Sequence, residues 1–318
     1  MSFRILGTGS YLPPRIVTNS ELSQFLNTSD EWIKQRVGIN ERRVCTTETT
    51  AKLASSAAKA ALDMSGVEPN ELDMIICATV SADHFAPSLA CSVQSQIGAT
   101  CPAMDINAAC SGFIYALDTA AGFFSRGLGK ILVIGAERLS AMIDWDDRST
   151  AVIFGDGAGA VVLGEGGCYK ASKLFARGNS EILSIPRYAA PTRYAKHEKT
   201  EPYIRMNGQE TFKFAVNAMC SDLVEVVASA GLSIEEISWF IPHQANARII
   251  DASVKKLGIL PQRCLKNIEF VGNTSAASIP ILTDELFRSN KLREGDYIAM
   301  YSFGAGLTSA ACVISYLK

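Results

Sequence analysis

Three polar side chains in this sequence have the chemistry needed for acyl transfer through a cysteine thioester. Cys110 lies in the small-residue segment Ala-Ala-Cys-Ser-Gly, His243 follows an apolar run that ends in proline, and Asn273 follows Gly272. A thiolate attacks thioester carbonyls readily, and imidazole and carboxamide groups can donate hydrogen bonds to a carbonyl oxygen that gains negative charge. We therefore expect these three residues, which are far apart in the sequence, to form one site.

Cys110 differs from the other cysteines because it falls between a predicted strand and a predicted helix. Free peptide N–H groups and the helix dipole at such a boundary stabilise an anion, which predicts a lowered thiol pKa. Ser111 and Gly112 leave room for an acyl group beside the sulfur. We interpret the remaining cysteines as small core residues: Cys45, Cys77, Cys91, Cys101, Cys168, Cys220, Cys264 and Cys312.

The composition indicates a globular protein without nucleic-acid partners. The chain has 318 residues, 48% of them hydrophobic, and a formal net charge of −2. Nine cysteines with no Cys-x-x-Cys pair, and three histidines outside any zinc-site spacing, predict a cytoplasmic protein with reduced thiols and no metal. We also expect no flavin or nicotinamide, no signal peptide and no membrane span, since no apolar run reaches about 18 residues. Two of the histidines, His84 and His197, fall in predicted loops.

The predicted elements repeat once along the chain. Residues 65–76 and 230–241 share a glycine that can end a helix, a polar turn and an apolar strand. A predicted helix precedes each segment, and strands that alternate with such helices indicate an α/β fold. We expect two duplicated halves, residues 1–168 and 169–318, with a site at their junction.

The repeat continues downstream of these segments. Predicted helices at residues 88–97 and 247–257 each end at a glycine, and the strands that follow lead to Cys110 in the first half and to Asn273 in the second. His243 ends a predicted strand, where α/β proteins commonly place functional groups. Taken alone, Asn273 is compatible with a plain turn. As the counterpart of Cys110 in the second half, Asn273 is expected to face the same site as Cys110.

Several motifs together resemble those of the β-ketoacyl-acyl-carrier-protein synthase III family, the initiating condensing enzymes of bacterial fatty-acid synthesis in the thiolase superfamily. The resemblance extends nearly from end to end, and the joint order and spacing of the motifs make it specific. The motifs are Thr28-Ser29-Asp30-Glu31-Trp32-Ile33, Arg36-Val37-Gly38-Ile39, Arg42-Arg43, the Cys110 segment, Phe154-Gly155-Asp156-Gly157-Ala158-Gly159-Ala160, Asn207-Gly208-Gln209-Glu210, His243-Gln244-Ala245-Asn246 and Gly272-Asn273-Thr274-Ser275.

The resemblance implies a thiolase-like homodimer, each chain having two similar halves in five alternating layers of helices and sheets. It also implies a two-step reaction. Cys110 takes an acyl group from acyl-coenzyme A, and malonyl-acyl carrier protein then loses CO₂ to give a carbanion that attacks the acyl-enzyme. His243 and Asn273 are expected to hydrogen-bond the malonyl thioester oxygen, a contribution of roughly 3–4 kcal/mol. The backbone N–H groups of Cys110 and Ala305 are expected to form the other oxyanion hole.

Binding residues also follow from the resemblance. For coenzyme A they are expected to be Trp32, Arg36, Arg148, Gly208, Phe212 and Asn246. For the acidic carrier protein they are expected to be Lys213, Arg248, Lys255 and Lys256.

Two positions depart from the family pattern. Ala305 stands between Gly304 and Gly306 where the family usually has a third glycine, and an alanine keeps its N–H but does not easily adopt a positive φ. Ala86 stands before Pro87, where the family often has a bulky residue that limits the acyl pocket across the dimer interface. We expect a roomier pocket that accepts primers longer or more branched than acetyl.

Three other functions are compatible with a cysteine, a histidine and an asparagine. A starter-unit condensing enzyme or acyltransferase of a secondary-metabolite pathway would share the first half-reaction and differ in its acceptor. A non-catalytic acyl-binding relative would form no thioester at Cys110. A cysteine protease is disfavoured by the duplicated α/β pattern.

Overall fold

The structure, a computed structural model, describes residues 2–186, 193–194 and 201–317. Its strands are Ser2–Tyr11 (β1), Ile16–Thr18 (β2), Glu41–Arg43 (β3), Met74–Ala78 (β4), Ala103–Ile106 (β5), Lys130–Arg138 (β6), Asp156–Gly166 (β7), Tyr169–Ala176 (β8), Leu183–Ser184 (β9), Arg205–Met206 (β10), Trp239–Pro242 (β11), Tyr297–Gly304 (β12) and Thr308–Ser315 (β13). Its α-helices are Asn19–Leu22 (α1), Asp30–Val37 (α2), Thr50–Ser65 (α3), Leu89–Ile97 (α4), Gly112–Ser125 (α5), Gly208–Ser229 (α6), Ala247–Leu257 (α7), Ile268–Val271 (α8) and Ser278–Arg288 (α9).

The helices begin and end where the sequence signals predict. The hydroxyl of Ser88 accepts a hydrogen bond from a free N–H in the first turn of α4, and the side chain of Asn246 does the same for α7. Gly66, Gly98 and Gly258 end α3, α4 and α7 in the left-handed conformation that glycine adopts without strain.

Two sheets with matching topology form the frame of the molecule. In the five-stranded sheet, of order β1-β7-β6-β4-β5, β4 runs parallel to β6, and β6, β7 and β1 pair antiparallel in turn. In the four-stranded sheet, of order β11-β12-β13-β8, β11 runs parallel to β12, and β12, β13 and β8 pair antiparallel in turn. The two sheets thus repeat one arrangement of four strands, which confirms the duplicated α/β fold.

Five layers stack in the order helices, sheet, helices, sheet, helices. Helices α3 and α4 pack on one face of the five-stranded sheet with Ile75, whereas α5 and α9 pack on the opposite face, to which the next residue, Ile76, points. The four-stranded sheet covers the other side of α5 and α9, and α6 and α7 cover its far face. Each fully buried Ile, Leu or Phe stabilises the fold by about 1.5–3 kcal/mol, so the central layer holds the two sheets together.

The central helices begin in the same unusual way. A 3-10 turn, Ala109–Ser111, leads into α5, and a second one, Ser275–Ala277, leads into α9. The first residue of each turn has a positive φ, 47° at Ala109 and 48° at Ser275. In each turn, the side chain of an asparagine two residues earlier accepts a hydrogen bond from the N–H of this first residue. Asn107 Oδ1 accepts from the Ala109 N–H at 3.3 Å, and Asn273 Oδ1 accepts from the Ser275 N–H at 2.8 Å. The positional counterpart of Asn273 is therefore Asn107, three residues before Cys110, and the prediction that Asn273 is the counterpart of Cys110 is wrong.

The strand expected to lead to Asn273 is not present, and that prediction is wrong. The short helix α8 occupies residues immediately before Gly272, and the only pairing of this segment with β11 is a single bridge between Phe240 and Cys264 among the described residues. The side chain of Gln244 holds the segment instead, since its Oε1 accepts from the N–H groups of Asn267 and Ile268, both at 3.2 Å. Side-chain hydrogen bonds therefore replace the fifth strand of the second sheet.

The two halves approach so closely at Gly135 of β6 that no side chain fits there. A Cβ added to Gly135 would lie 2.3 Å from the carbonyl oxygen of Ala276. We expect Gly135→Ala to lower the free energy of unfolding by about 2 kcal/mol, because overpacking forces backbone shifts. Urea unfolding would measure the change.

Gly122→Ala is the matched control for Gly135→Ala. Gly122 lies in α5 with no atom within 4 Å of an added Cβ, so the same substitution is expected to stabilise the helix by up to about 1 kcal/mol. Equal effects of the two changes would contradict the close packing described for Gly135.

Candidate active site

One cavity of about 1060 Å³ lies between the two halves, and Cys110, His243 and Asn273 all line it. Segments of both halves form its wall, including the residues that follow β4 and β5 in the first half and β11 and β12 in the second. The sequence prediction that these three residues meet at the junction agrees with this placement. A pocket of this size exceeds the range typical of small-molecule sites, about 300–1,000 Å³, and suits a long substrate.

Cys110 is presented to the cavity by the 3-10 turn that precedes α5. The turn is packed against the end of β12, where a Cβ added to Gly304 would lie 2.7 Å from the Cys110 nitrogen. The Thr308 hydroxyl donates to the Ala108 carbonyl at 3.0 Å from the same side. Glycine at position 304 therefore permits the close approach that fixes the backbone of Cys110.

His243 is held rigidly at the end of β11. Its backbone N–H donates to the Tyr301 carbonyl at 2.9 Å, its ring meets Phe303 edge-on at 5.6 Å between centroids, and its side chain is buried. Nδ1 lies 2.7 Å from Ser278 Oγ. Nε2 has no hydrogen-bond partner among the described residues, so it is the ring nitrogen left for a ligand in the cavity.

The surroundings of Ser278 decide which nitrogen of His243 carries the proton. Ser278 Oγ also lies 3.4 Å from the backbone N–H of Gln244, which can only donate, so the oxygen accepts there. The buried hydroxyl then has Nδ1 as the acceptor for its own proton. Nδ1 therefore accepts, and Nε2 carries a proton that points to the cavity as a hydrogen-bond donor.

Asn273 is oriented by hydrogen bonds at both ends of the residue. Its Oδ1 accepts from Ser275 N–H, which leaves the amide NH₂ group to face the cavity as a donor. Its backbone N–H donates to Ile153 and its carbonyl accepts from Gly155, both at 2.9 Å. The cavity wall thus presents two side-chain donors, one from His243 and one from Asn273.

Burial keeps both members of the Cys110–His243 pair neutral in the free protein. Burial raises the pKa of the Cys110 thiol to about 12, opposed by the Ser275 hydroxyl, which lowers it, while the charge of Glu137 raises it further. Burial lowers the pKa of His243 to about 3. The expectation of a lowered thiol pKa is therefore wrong, because the loss of water around the sulfur outweighs the N–H groups at the start of the helix.

Ala305 is accommodated without backbone strain. Its φ is not positive, whereas the neighbouring Gly306 has a φ of 141°. Gly304 is required by its contact with Cys110, so of the three positions only Ala305 is free to carry a Cβ. Ala305 lines the cavity.

The residues expected at coenzyme A form two groups. Trp32 is partly buried and lies between two arginines, with the guanidinium carbon of Arg148 5.1 Å from its ring centroid and that of Arg36 at 5.9 Å. Asn246 lines the cavity and donates to the Arg36 carbonyl at 3.3 Å, which connects the cavity to the tryptophan. Gly208 and Phe212, at the start of α6, also line the cavity.

The basic residues expected at the carrier protein lie on the outer helices of the second half. Arg248, Lys255 and Lys256 are on α7, and Lys213 is on the neighbouring α6; all four are exposed. Lys213 pairs with Glu210 at 2.9 Å, and Lys256 donates to Asn217 at 3.1 Å.

The loop before α4 contributes to the cavity without Ala86. His84 and Phe85 line the cavity, whereas Ala86 is exposed on the segment with a cis bond to Pro87. The acyl-pocket role of Ala86 stays a prediction, because it refers to the pocket of a second subunit. His197 lies outside the described residues.

Sequence reasoning missed three residues beside the site. Ser278 orients the imidazole, and Ser275 lies between Cys110 and Glu137, a carboxyl group with no exposed surface at the end of β6. A signal for Glu137 was present, because polar residues at strand C-termini are candidates in α/β folds. The two serines had no such signal, since their partners are distant in the sequence.

A cysteine facing two hydrogen-bond donors, at the junction of duplicated α/β halves, defines a condensing acyltransferase of the thiolase fold. Sequence models described as 3-oxoacyl-[acyl-carrier-protein (ACP)] synthase III and its C-terminal region match residues 104–178 and 227–316. The chain belongs to this family, the β-ketoacyl-[acyl-carrier-protein] synthases III.

Relatives and solved structures are similar to this chain over nearly its full length. The β-ketoacyl-[acyl-carrier-protein] synthase III of Clostridium acetobutylicum is 44% identical over 323 residues, 100% of this chain and 99% of that protein. The crystal structure of the Aquifex aeolicus 3-oxoacyl-[acyl-carrier-protein] synthase III superposes with a TM-score of 0.92 at 46% identity, covering 99% of this chain and 100% of that one. A priming β-ketosynthase from the R1128 polyketide pathway has a TM-score of 0.93 at 34% identity, covering 99% and 96%.

The protonation of His243 can be tested directly. We expect ¹⁵N NMR of histidine-labelled protein to show a neutral ring with the proton on Nε2 throughout neutral pH, because Ser278 donates to Nδ1. Since burial lowers the pKa to about 3, protonation should begin only in acid far below the usual range. In Ser278→Ala, which removes the donor, a mixture of tautomers is expected. A proton on Nδ1 in the unsubstituted protein would contradict the assignment.

Proposed function

We propose that this chain condenses an acyl-coenzyme A primer with malonyl-acyl carrier protein, giving β-ketoacyl-acyl carrier protein, coenzyme A and CO₂. The observation that carries this proposal is the meeting of Cys110 with two donors, the His243 Nε2–H and the Asn273 NH₂ group, in one cavity. Family membership supports the initiation of fatty-acid synthesis as the setting.

In the first half-reaction, Cys110 Sγ attacks the thioester carbonyl of acyl-coenzyme A, and coenzyme A leaves. The backbone N–H groups of Cys110 and Ala305 are the proposed donors to the oxyanion. Two observations support this. Ala305 lines the cavity, and the Gly304 contact brings the chain at Ala305 close to the Cys110 nitrogen. A fixed pair of donors costs no reorganisation during the reaction, which is why such pairs lower barriers.

In the second half-reaction, His243 and Asn273 are the proposed donors to the malonyl thioester oxygen. Loss of CO₂ leaves negative charge on that oxygen, and two buried donors stabilise the charge strongly where water is excluded. A donor is needed here rather than a base, which agrees with a neutral His243 whose proton is on Nε2. The carbanion then attacks the acyl group on Cys110.

The cavity mouth is the proposed path for both pantetheine arms. Trp32, Arg36 and Arg148 are proposed to bind the adenine and phosphates, since arginine pairs well with phosphate and tryptophan offers a flat face. Gly208, Phe212 and Asn246 are proposed to line the arm. We further propose a cytoplasmic homodimer without metal, flavin or nicotinamide, with halves at residues 1–168 and 169–318. No helix among the described residues is long and apolar enough to cross a membrane.

A second candidate function is the priming of a secondary-metabolite pathway. The similarity to a polyketide priming β-ketosynthase favours it, but the relatives named as acyl-carrier-protein synthases III are more similar in sequence, at 44% and 46% identity against 34%. The two functions share the acylation of Cys110. The two functions are distinguished by measuring CO₂ release with malonyl-acyl carrier protein from a fatty-acid system and with other acceptors. The first function predicts CO₂ release with malonyl-acyl carrier protein, and the second predicts a different preferred acceptor.

Acylation of Cys110 is tested by intact-protein mass after incubation with a panel of acyl-coenzyme A thioesters. We expect a gain of one acyl group in the unsubstituted protein and none in Cys110→Ala, because the nucleophile is lost. With alanine at position 86, primers longer or more branched than acetyl are expected to load with the higher kcat/KM.

Cys91→Ala is the control, since Cys91 is the exposed cysteine on α4 and its loss should leave loading unchanged. A mass gain that survives in Cys110→Ala would place the nucleophile elsewhere. A much higher kcat/KM with acetyl would contradict the roomier pocket. No gain with any primer would favour a non-catalytic relative.

The carrier-protein surface is tested by reversing its charge. We expect Lys255→Glu with Lys256→Glu to raise the KM for malonyl-acyl carrier protein about tenfold, because an acidic partner is repelled. The rate of loading from acyl-coenzyme A should stay unchanged. The control is Lys52→Glu with Lys59→Glu, which reverses two exposed lysines of α3 in the opposite outer layer and should change neither the KM for malonyl-acyl carrier protein nor the rate of loading. Equal effects at both places would rule out the proposed surface.

A further inference from the structure

The proposed acylation leaves one proton without an acceptor. Cys110 is a neutral thiol in the free protein, and its proton must leave before or as the sulfur attacks. His243 is poorly placed to take it, because Nε2 already carries a proton and Nδ1 is occupied by Ser278. A different acceptor is therefore needed close to the sulfur.

A buried carboxyl group lies directly behind the cavity wall at this point. Glu137 has no exposed surface and does not line the cavity. Its oxygens accept from the Val80 N–H at 3.1 Å and from three hydroxyls: Ser81 at 2.5 Å, Ser275 at 3.1 Å and Thr79 at 3.3 Å. Among the described residues, four donors and no cation contact this carboxyl group, so it is not part of an ion pair there.

Ser275 differs from the other two hydroxyls in one respect. Ser81 Oγ accepts from the Arg138 N–H at 2.8 Å, and Thr79 Oγ1 accepts from the Ser81 N–H at 3.1 Å. No N–H group among the described residues donates to Ser275 Oγ, so its lone pairs remain available. Ser275 and Cys110 both line the cavity, each in the 3-10 turn at the start of a central helix, and the Ser275 hydroxyl lowers the pKa of the thiol.

We propose that Ser275 takes the proton of the Cys110 thiol while it passes its own hydroxyl proton to Glu137, which acts through Ser275 as a positioning residue. The inference rests on the proposed acylation of Cys110. The proposal includes a hydrogen bond from the thiol to Ser275 in the complex with acyl-coenzyme A, since catalytic hydrogen bonds commonly tighten only when the substrate binds.

Each proton and electron pair has a destination in this step. The S–H bond of Cys110 breaks as an O–H bond forms on Ser275, whose former O–H bond breaks as a new one forms on Glu137 Oε1. The sulfur lone pair forms the bond to the acyl carbon, and the bond from that carbon to the coenzyme A sulfur breaks. The departing thiolate takes the proton back through Ser275, which restores the Glu137 carboxylate.

The electrostatics of the site favour Glu137 over His243 as the acceptor of the thiol proton. The charge of Glu137 raises the thiol pKa, so protonation of Glu137 removes the charge that opposes the thiolate. Burial raises the pKa of Glu137 to about 7, far above that of His243, so it is the stronger base of the two. The site also favours the thiolate afterwards, because Ser275 can then donate to the sulfur.

Other titratable groups near β6 point away from Glu137. Arg138 is the next residue on the strand and faces the opposite side of the sheet. Asp156 on β7 and Cys77 on β4 belong to that same opposite face, where Asp156 accepts from the Cys45 N–H. Asp83, in the loop after β4, caps α3 by accepting from Thr50 and Ala51. The titratable groups that line the cavity, among the described residues, are His84, Asp105, Cys110 and His243. The Asp105 carboxylate accepts from the N–H groups of Leu89 and Ala90 at the start of α4.

The test is the pH dependence of single-turnover acylation, followed by intact mass. In the unsubstituted protein the rate should rise with pH through a midpoint near 7, because the base must be ionised. In Glu137→Gln and Ser275→Ala the rise should disappear, and the rate above neutral pH should fall about 100-fold or more. Glu137→Asp should recover part of the rate together with the pH dependence.

Thr79→Val is the matched control. It removes a hydroxyl that donates to Glu137 but leaves the link through Ser275 intact. The rise with pH should persist, and its midpoint should move upward, because the carboxylate loses a donor that lowers its pKa.

A second readout separates this role from a structural one. Enzyme acylated to completion beforehand should decarboxylate malonyl-acyl carrier protein at an unchanged rate in Ser275→Ala, since His243 and Asn273 are intact. Persistence of the pH-dependent rise in both Ser275→Ala and Glu137→Gln would overturn the inference, as would an equal loss of both half-reactions. If Glu137→Gln fails to fold, Ser275→Ala decides alone. Absence of acylation in the unsubstituted protein would instead overturn the proposed function.

Discussion

The close packing of the two helix-start turns against β6 and β12 is the constraint on which the site depends. The turn with Cys110 lies against Gly304, and the turn with Ser275 lies against Gly135, where added Cβ atoms would come within 2.7 and 2.3 Å of backbone atoms. Backbone contacts this short leave little freedom for either turn. The nucleophile, the donors and the buried carboxyl group are thereby held in fixed relation, although they come from both halves of the chain.

Much of the fold could be predicted from the sequence because its signals are local. Capping residues and helix-ending glycines gave the bounds of α4 and α7 to within a residue, and the repeated order of elements gave the duplicated α/β fold. The missing fifth strand could not be predicted in this way. The segment before Asn273 is apolar enough for a strand. However, the side chain of Gln244 accepts hydrogen bonds from the N–H groups of Asn267 and Ile268, and a helical turn forms instead.

The identity of the main site residues could be predicted from the sequence, whereas their ionisation and their supporting hydrogen bonds could not. Residue type and small-residue context identified Cys110, His243 and Asn273, because nucleophiles and donors have recognisable chemistry. Ionisation depends on burial and on partners distant in the sequence, so the thiol pKa was predicted in the wrong direction. The role of Ser278 could not be predicted for the same reason. Its hydrogen bond with His243 Nδ1, at 2.7 Å, joins residues that are distant in the sequence.

The absence of a fifth strand in the second sheet is one difference between the two halves, and it affects which side chains each half places in the cavity. A regular strand there would have placed the residues before Asn273 in fixed register with β11, as β5 is with β4. Two asparagines in equivalent positions, Asn107 and Asn273, instead retain the same local turn while their surroundings differ. The two copies of the turn thus present different side chains to one cavity, Cys110 from the first copy and Asn273 with Ser275 from the second, while four strands of each sheet keep the same topology.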